Sequence, residues 1–178
     1  PVVLHAIKRD DIKTLSDIKG KRVMTLQNSE DMASITAMLK SKQINKTDYT
    51  PQRHSFNAYD LMLGKTDVMV SYISNEPFLL LEKGYESTIF KASDFGFNFY
   101  SDLLFTSKSY EKENPKVVSD FHLASIKGWH YAFDNMDEAV KIIYNKYNTQ
   151  RKSIKALKYE ANRLKELAYV KNIEFGDI

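Results

Sequence analysis

The sequence predicts an α/β fold with a largely parallel sheet and a helical C-terminal part. Short apolar runs of strand length recur between segments whose apolar residues repeat at helical spacing. Strand-like and helix-like segments alternate as far as residue 106, the pattern that parallel strands and their crossovers produce. From Asn114 onward only helical periodicity remains.

Each element has its own signal. Residues 1–7, Pro-Val-Val-Leu-His-Ala-Ile, read as a buried strand, and residues 16–21 as a polar turn containing Gly20. Residues 23–26 are a second strand. Asn28 or Ser29 then caps a helix with acidic groups in its first turn and Met32, Ile35, Met38 and Leu39 on one face. Residues 56–64 suit a short helix stopped by Gly64, and residues 67–72 a strand. Pro77 opens the helix that follows, and residues 88–90 and 102–106 are two further strands. Asn114-Pro115 starts a long helix with Val118, Phe121, Ala124, Gly128 and Tyr131 as its stripe. Asn135 and Glu138 have capping-box spacing for the next helix, and Ile154, Leu157, Ala161, Leu164 and Ala168 define the last.

Composition narrows the function. The 178 residues are 43% hydrophobic and 28% charged, ordinary for a globular protein with a real core. The net charge of +3 is spread along helices such as that bearing Lys152, Lys155, Lys158 and Lys165. There is no concentrated basic stripe, so nucleic acid is not an expected partner. The absence of cysteine removes thiol catalysis and thiolate metal sites. No apolar run is long enough to span a membrane, and membrane association is expected only through flanking segments. The chain opens at Pro1 without a signal peptide, which suggests a processed or excised piece.

Several ordered stretches carry a family likeness. They are residues 15–23 (Leu-Ser-Asp-Ile-Lys-Gly-Lys-Arg-Val), His54-Ser55-Phe56, residues 64–69 (Gly-Lys-Thr-Asp-Val-Met) and residues 72–78 (Tyr-Ile-Ser-Asn-Glu-Pro-Phe). Asp94-Phe95-Gly96, residues 100–105 (Tyr-Ser-Asp-Leu-Leu-Phe), Asn114-Pro115 and Lys127-Gly128-Trp129 follow. In this order and spacing the chain resembles the thiamine-pyrimidine-precursor branch of type 2 periplasmic solute-binding proteins. The Ser-Asn-Glu-Pro-Phe and Lys-Gly-Trp forms, with residues 175–178, resemble the subset fused to bacterial diguanylate cyclases or histidine kinases.

The resemblance implies two lobes that close on a ligand. Residues 1–15 would be a strand and connection of lobe 1, residues 16–100 lobe 2, and residues 101–178 the return to lobe 1 with C-terminal helices. Family members carry a substantial stretch before the first strand, so the first lobe would be incomplete here. The implied function is extracytoplasmic capture of a small, pyrimidine-like or amine-bearing molecule as sensor input. The alternatives are the free binding component of an ABC importer, acting with its permease, or an interaction module that has lost its ligand. Enzyme chemistry is not expected: relatives that build the thiamine pyrimidine use a cysteine-rich iron motif, which this chain lacks.

In such folds ligands sit beyond the C-terminal ends of the strands. Asn28 and Ser29, after the second strand, are candidates to bind a polar ligand group as well as to cap their helix. Tyr72, Ser74, Asn75 and Glu76 end a later strand. Tyr72 can stack on a ring, while Asn75 and Glu76 can bond its amino and ring-nitrogen groups. The bland alternative puts Tyr72 in the core and Glu76 on its own helix N-terminus. His54 is a candidate from its motif position. Tyr100 and Asp102, beside the expected crossing between lobes, are the last pair. Phe95, Phe97 and Phe99 are read as one strand face, and Trp129 as core. His5 shows no partner, and His122 and His130 lack a third ligand, so neither a metal nor another cofactor is expected.

Overall fold

The computed structural model describes residues 1–26, 32–99, 103–169 and 175, in two compact units, Pro1–Ser101 and Asp102–Ile178. The first unit is built on one five-stranded sheet: β1 Val2–Ile7, β2 Arg22–Thr25, β3 Thr50–Arg53, β4 Val68–Tyr72 and β5 Ser87–Lys91, in the spatial order β3-β2-β4-β1-β5. Helix α1 (Ala33–Ser41) links β2 to β3, α2 (Tyr59–Met62) links β3 to β4, and α3 (Glu76–Leu81) links β4 to β5.

The sheet is mixed, where the sequence pattern led us to expect it largely parallel. β2 runs parallel to β3 and β4, as helical crossovers require, but β1 is antiparallel to both β4 and β5. The cause is that β1 precedes the alternating units and inserts between β4 and β5 with no crossover of its own. Residues 1–15, assigned from sequence to the other lobe, therefore contribute an inner strand to the sheet that residues 16–100 build. β3, with Pro51 in its middle, was not picked out from sequence. It is an edge strand, the place in a sheet where proline is tolerated.

Strand alternation divides the core between the two faces. Leu4, Ala6, Val23, Val68 and Val70 pack with Ile35, Met38 and Leu39 of α1, whereas Met24 and Met69 pack with Leu61 of α2 and Leu80 of α3. Each fully buried aliphatic side chain of this kind contributes roughly 1.5–3 kcal/mol. The starts of β2 and β4 are tied by Asp67. Its carboxylate accepts from the Arg22 backbone N–H (2.9 Å), from Arg22 Nε (2.9 Å) and Nη2 (3.1 Å), and from Arg9 Nη2 (3.0 Å). The Arg22 hydrogen bonds hold the Asp67 carboxyl well below the usual carboxylate range.

The second unit is helical among the described residues: α4 Lys108–Glu113, α5 Pro115–Asp134, α6 Met136–Ile142, a π-helical turn Ile143–Tyr147, and α7 Ile154–Ala168. Its buried apolar residues are Phe133, Val140, Ala156 and Leu157, and the Lys165 ammonium donates to the Phe133 carbonyl (3.1 Å). Three expectations are corrected here. Residues 103–106 form no strand: no described strand of this unit is there to pair them, and Leu103, Leu104 and Phe105 are exposed. Asn135 and Glu138 do not make a capping box, because the Asn135 amide donates back to the Tyr131 carbonyl and Glu138 accepts from the Tyr131 hydroxyl. Trp129 is not core. About half of its surface is exposed, and its ring lies against Phe133 at 5.4 Å.

Candidate functional site

The three mutually parallel strands β2, β3 and β4 end on one edge of the sheet, which brings residues after Thr25, Arg53 and Tyr72 together. That edge holds the described site candidates. Asn28 and Ser29, like Tyr100 and Asp102, lie outside the described residues.

At the end of β4 the sequence turns sharply. The Asn75 backbone N–H donates to the Tyr72 carbonyl (3.0 Å), and Pro77 in the first turn of α3 suits the helix start. Glu76 reaches back across this turn. Its Oε2 accepts the Tyr72 backbone N–H at 2.8 Å, and its Oε1 accepts from the Asn75 side-chain amide at 3.2 Å. Both carboxylate oxygens are thus already engaged in fixing the strand end. Tyr72 is not core: 51% of it is exposed, so its ring is open to a stacking partner. Ser74 is buried beneath the turn, and Asn75 is half-buried.

At the end of β3, His54 reaches across the end of β2. Its Nε2 lies 2.6 Å from the Val70 carbonyl, which can only accept, so Nε2 carries the proton. Nδ1 is then the acceptor, and it takes the Phe56 backbone N–H at 2.9 Å. Both ring nitrogens are occupied within the protein, and His54 serves as a brace between β4 and the loop after β3. Ser55 and Asn57 complete that loop: Ser55 Oγ accepts from the Asn57 N–H (3.3 Å), and Asn57 Oδ1 accepts from the Tyr59 N–H (3.2 Å). Phe56 itself has φ 57° and 79% exposure. From sequence, Phe56 was read as part of the His54-Ser55-Phe56 stretch and as the start of a helix. The run of Ser55 and Asn57 around it is the local signal of a turn with left-handed backbone.

The other features read from sequence fall as follows. Phe95 closes a 3₁₀ turn (Ala92–Phe95) and packs with Phe97 on the α1-side core, whereas Phe99 is exposed, so the three do not form one strand face. His5, which showed no partner in sequence, is buried between Ser71 and Ser87. His130 meets the Tyr169 hydroxyl at 2.8 Å. Among the described residues no group of three His, Asp or Glu side chains could hold a metal ion, and no helix is long and apolar enough to cross a membrane. A separate groove of about 550 Å³ is lined by residues including Lys13, Ser16, Lys42, Phe90 and Phe95.

Comparison with solved structures defines the class. The chain superposes on the periplasmic aliphatic sulphonate binding protein of Escherichia coli with a TM-score of 0.76, covering 90% of this chain and 51% of that one at 13% identity. The alkanesulfonate-binding protein of Xanthomonas axonopodis pv. citri gives 0.67, with 90% and 54% coverage at 13% identity. The fold is that of the type 2 periplasmic binding proteins.

Residues 1–139 match the NMT1/THI5-like family, and the chain belongs to it. Among curated relatives, the riboflavin-binding protein RibY of Chloroflexus aurantiacus is 26% identical over 141 residues, 78% of this chain and 40% of that protein. The formylaminopyrimidine-binding protein of Halalkalibacterium halodurans is 29% identical over 85 residues, 47% of this chain and 26% of that protein. The chain therefore spans less than half the length of the curated relatives it matches. Both curated relatives are described as binding proteins.

Proposed function

We propose that the protein captures a planar nitrogen heterocycle, pyrimidine-like or amine-bearing, outside the cytoplasm, and that it does so as a binding protein and not as an enzyme. The observation that carries this reading is the end of β4. There the exposed Tyr72 ring is held by a backbone N–H clamped on Glu76, beside Ser74 and Asn75. A half-exposed tyrosine on a fixed backbone offers stacking area at low entropic cost, and Asn75 offers both a donor and an acceptor to ring substituents. Riboflavin and formylaminopyrimidine, named for the two curated relatives, are both flat nitrogen-containing rings. His54 acts here as a brace, and Asn28, Ser29, Tyr100 and Asp102 remain proposed ligand contacts from the sequence.

The output we favour is the input of a signalling protein, with a fused kinase or cyclase as partner. The residues that resemble sensor-fused forms, Ser74 to Phe78 and Lys127 to Trp129, support it. Delivery to an ABC permease is the second reading. It is favoured by a neighbour of this fold from Methylobacillus flagellatus, described as the periplasmic sulfonate-binding protein of an ABC transporter (TM-score 0.63).

The test is a thermal-shift series on the complete protein with riboflavin, aminopyrimidines, sulfonates, polyamines and purines. A dose-dependent rise in melting temperature is expected for flat nitrogen heterocycles, since a ligand that binds only the native state stabilises it. Tyr72→Ala should abolish the rise. A rise with sulfonates alone would overturn the ligand class, and none with any compound would overturn capture itself.

A further inference from the structure

Phe56 combines two unfavourable features. Its φ of 57° is a left-handed backbone that disfavours a side chain with a Cβ, and 79% of an apolar residue faces solvent. Glycine would relieve the first, and a polar residue the second. The conformation is nevertheless held by specific bonds. The Phe56 N–H is fixed on His54 Nδ1, and Ser55 and Asn57 lock the residues on either side. The phenyl ring lies over the His54 imidazole, centroids 4.6 Å apart and planes tilted by 46°. The imidazole is anchored in turn to the Val70 carbonyl, two residues before Tyr72 on β4. β2, the strand between β3 and β4, stops at Thr25. Two exposed rings, Phe56 and Tyr72, therefore flank the end of β2, and one histidine ties the backbone of the first to the strand carrying the second.

We propose that Phe56 is a specificity-determining stacking residue for the bound heterocycle and that His54 is its positioning residue, without itself touching ligand. The inference rests on the heterocycle reading above and deepens it. A locally strained backbone that presents an apolar ring to solvent, on the edge where parallel strands end, makes physical sense if a flat apolar partner covers that ring when bound. A pair of rings favours ligands with an extended aromatic system and selects against sulfonates, whose tetrahedral head offers no face to stack on.

The experiment measures binding of riboflavin and of 4-aminopyrimidine to the complete protein by calorimetry, with melting temperature recorded for each variant. Wild type should bind at least one of the two. Binding of neither would overturn the heterocycle reading and this proposal together. With wild-type binding in hand, Phe56→Gly should keep or raise the melting temperature, because it releases the left-handed strain, yet weaken binding at least tenfold. Phe56→Trp should retain binding. Unchanged affinity in Phe56→Gly would overturn the proposal while leaving the heterocycle reading intact. So would a loss of affinity matched by a collapse in melting temperature, which marks a merely structural ring. For His54, the double variant decides. His54→Ala should weaken binding in the wild-type background and change it less than twofold when Phe56 is already glycine. Independent, multiplying losses would overturn the positioning role and make His54 a direct contact.

Discussion

His5 Nε2 lies 2.8 Å from Ser87 Oγ in the interior of the sheet, and its Nδ1 is 3.3 Å from Ser71 Oγ. The three residues sit on adjacent strands in diagonal register, since His5 is directly opposite Met69 and Ile89. Two neutral hydroxyls satisfy a neutral imidazole but cannot balance an imidazolium. Burial accordingly lowers the His5 pKa to about 4, from an ordinary value of 6.5. Because the unfolded chain takes up this proton more readily, His5 favours the folded state fully above pH 6.5, and that contribution is lost as pH falls toward 4. The loss is about 3 kcal/mol. Urea denaturation at steps between pH 7.5 and 4 should show this slope, and His5→Gln should flatten it. A slope surviving in His5→Gln would assign the effect to other groups.

Asp67 gives the opposite kind of group, an anion held by cations. Four donors from Arg22 and Arg9 converge on it while its own side chain is only 13% exposed. Both arginines reach solvent and can be rehydrated, so the loss on Asp67→Asn stays below that of a fully buried pair, at roughly 1–3 kcal/mol. Its folded pKa is depressed, so the contribution is present above the ordinary carboxylate pKa of 3.8 and disappears only at lower pH. The two groups should therefore separate on a pH–stability curve, His5 acting between pH 6.5 and 4 and Asp67 below that. Asp67→Asn should lower stability at pH 7 without altering the slope between pH 6.5 and 5.

These two cases show what could be seen beforehand. Periodicity located β1, β2, β4, β5, α1, α3, α5 and α7, because the repeat is written in consecutive residues, although the stripe read on α5 is not a buried face: Phe121 and Tyr131 are exposed and Phe133 is the buried residue of that helix. Gly64-Lys65-Thr66-Asp67 was visible as a motif, but its four-donor clamp depends on β2 lying beside β4, a pairing across 45 residues. The antiparallel insertion of β1 and the partners of His5 are equally non-local, and no local pattern encodes them. Residues 103–106 misled for the reverse reason: an apolar run carries strand propensity whether or not a partner strand is at hand. At the site, Tyr72, Asn75 and Glu76 were singled out because they lie at or just beyond the end of a strand. Phe56 was read as part of a motif and as a helix start, and its left-handed backbone was not visible because residue type does not write it.

Helix α7 supplies a simpler test of the second unit. Ser153 has extended backbone and its hydroxyl accepts the Ala156 N–H at 3.0 Å, a side-chain cap at the start of a 15-residue helix. Ala156 and Leu157, the buried residues of α7, follow directly, so fraying of the first turn would loosen the packing of this unit. Ser153→Ala should cost about 1 kcal/mol, and Ser153→Asp should recover most of it by capping and by favouring the helix dipole. Chemical denaturation followed by far-ultraviolet circular dichroism would measure both.

Glu76 poses the sharpest question about the site, because a carboxylate there can be read as the acceptor for an aminopyrimidine's donors or as part of the scaffold. The geometry favours the scaffold. Oε2 holds the Tyr72 N–H and Oε1 the Asn75 amide, so the group already fixes the two residues expected to meet the ligand. A Glu76→Gln amide keeps one acceptor for the Tyr72 N–H and should bind nearly as wild type. Glu76→Ala leaves that N–H without its partner and lets the turn relax, and should weaken binding by about tenfold, equivalent to 1.4 kcal/mol. The discriminating measurement compares two ligands by calorimetry. If Glu76 only positions Tyr72, riboflavin and 4-aminopyrimidine should lose affinity in Glu76→Ala by similar factors and be spared in Glu76→Gln. If the carboxylate accepts directly from the amino group, 4-aminopyrimidine alone should suffer in Glu76→Gln, because the amide that replaces one oxygen presents a donor to a donor.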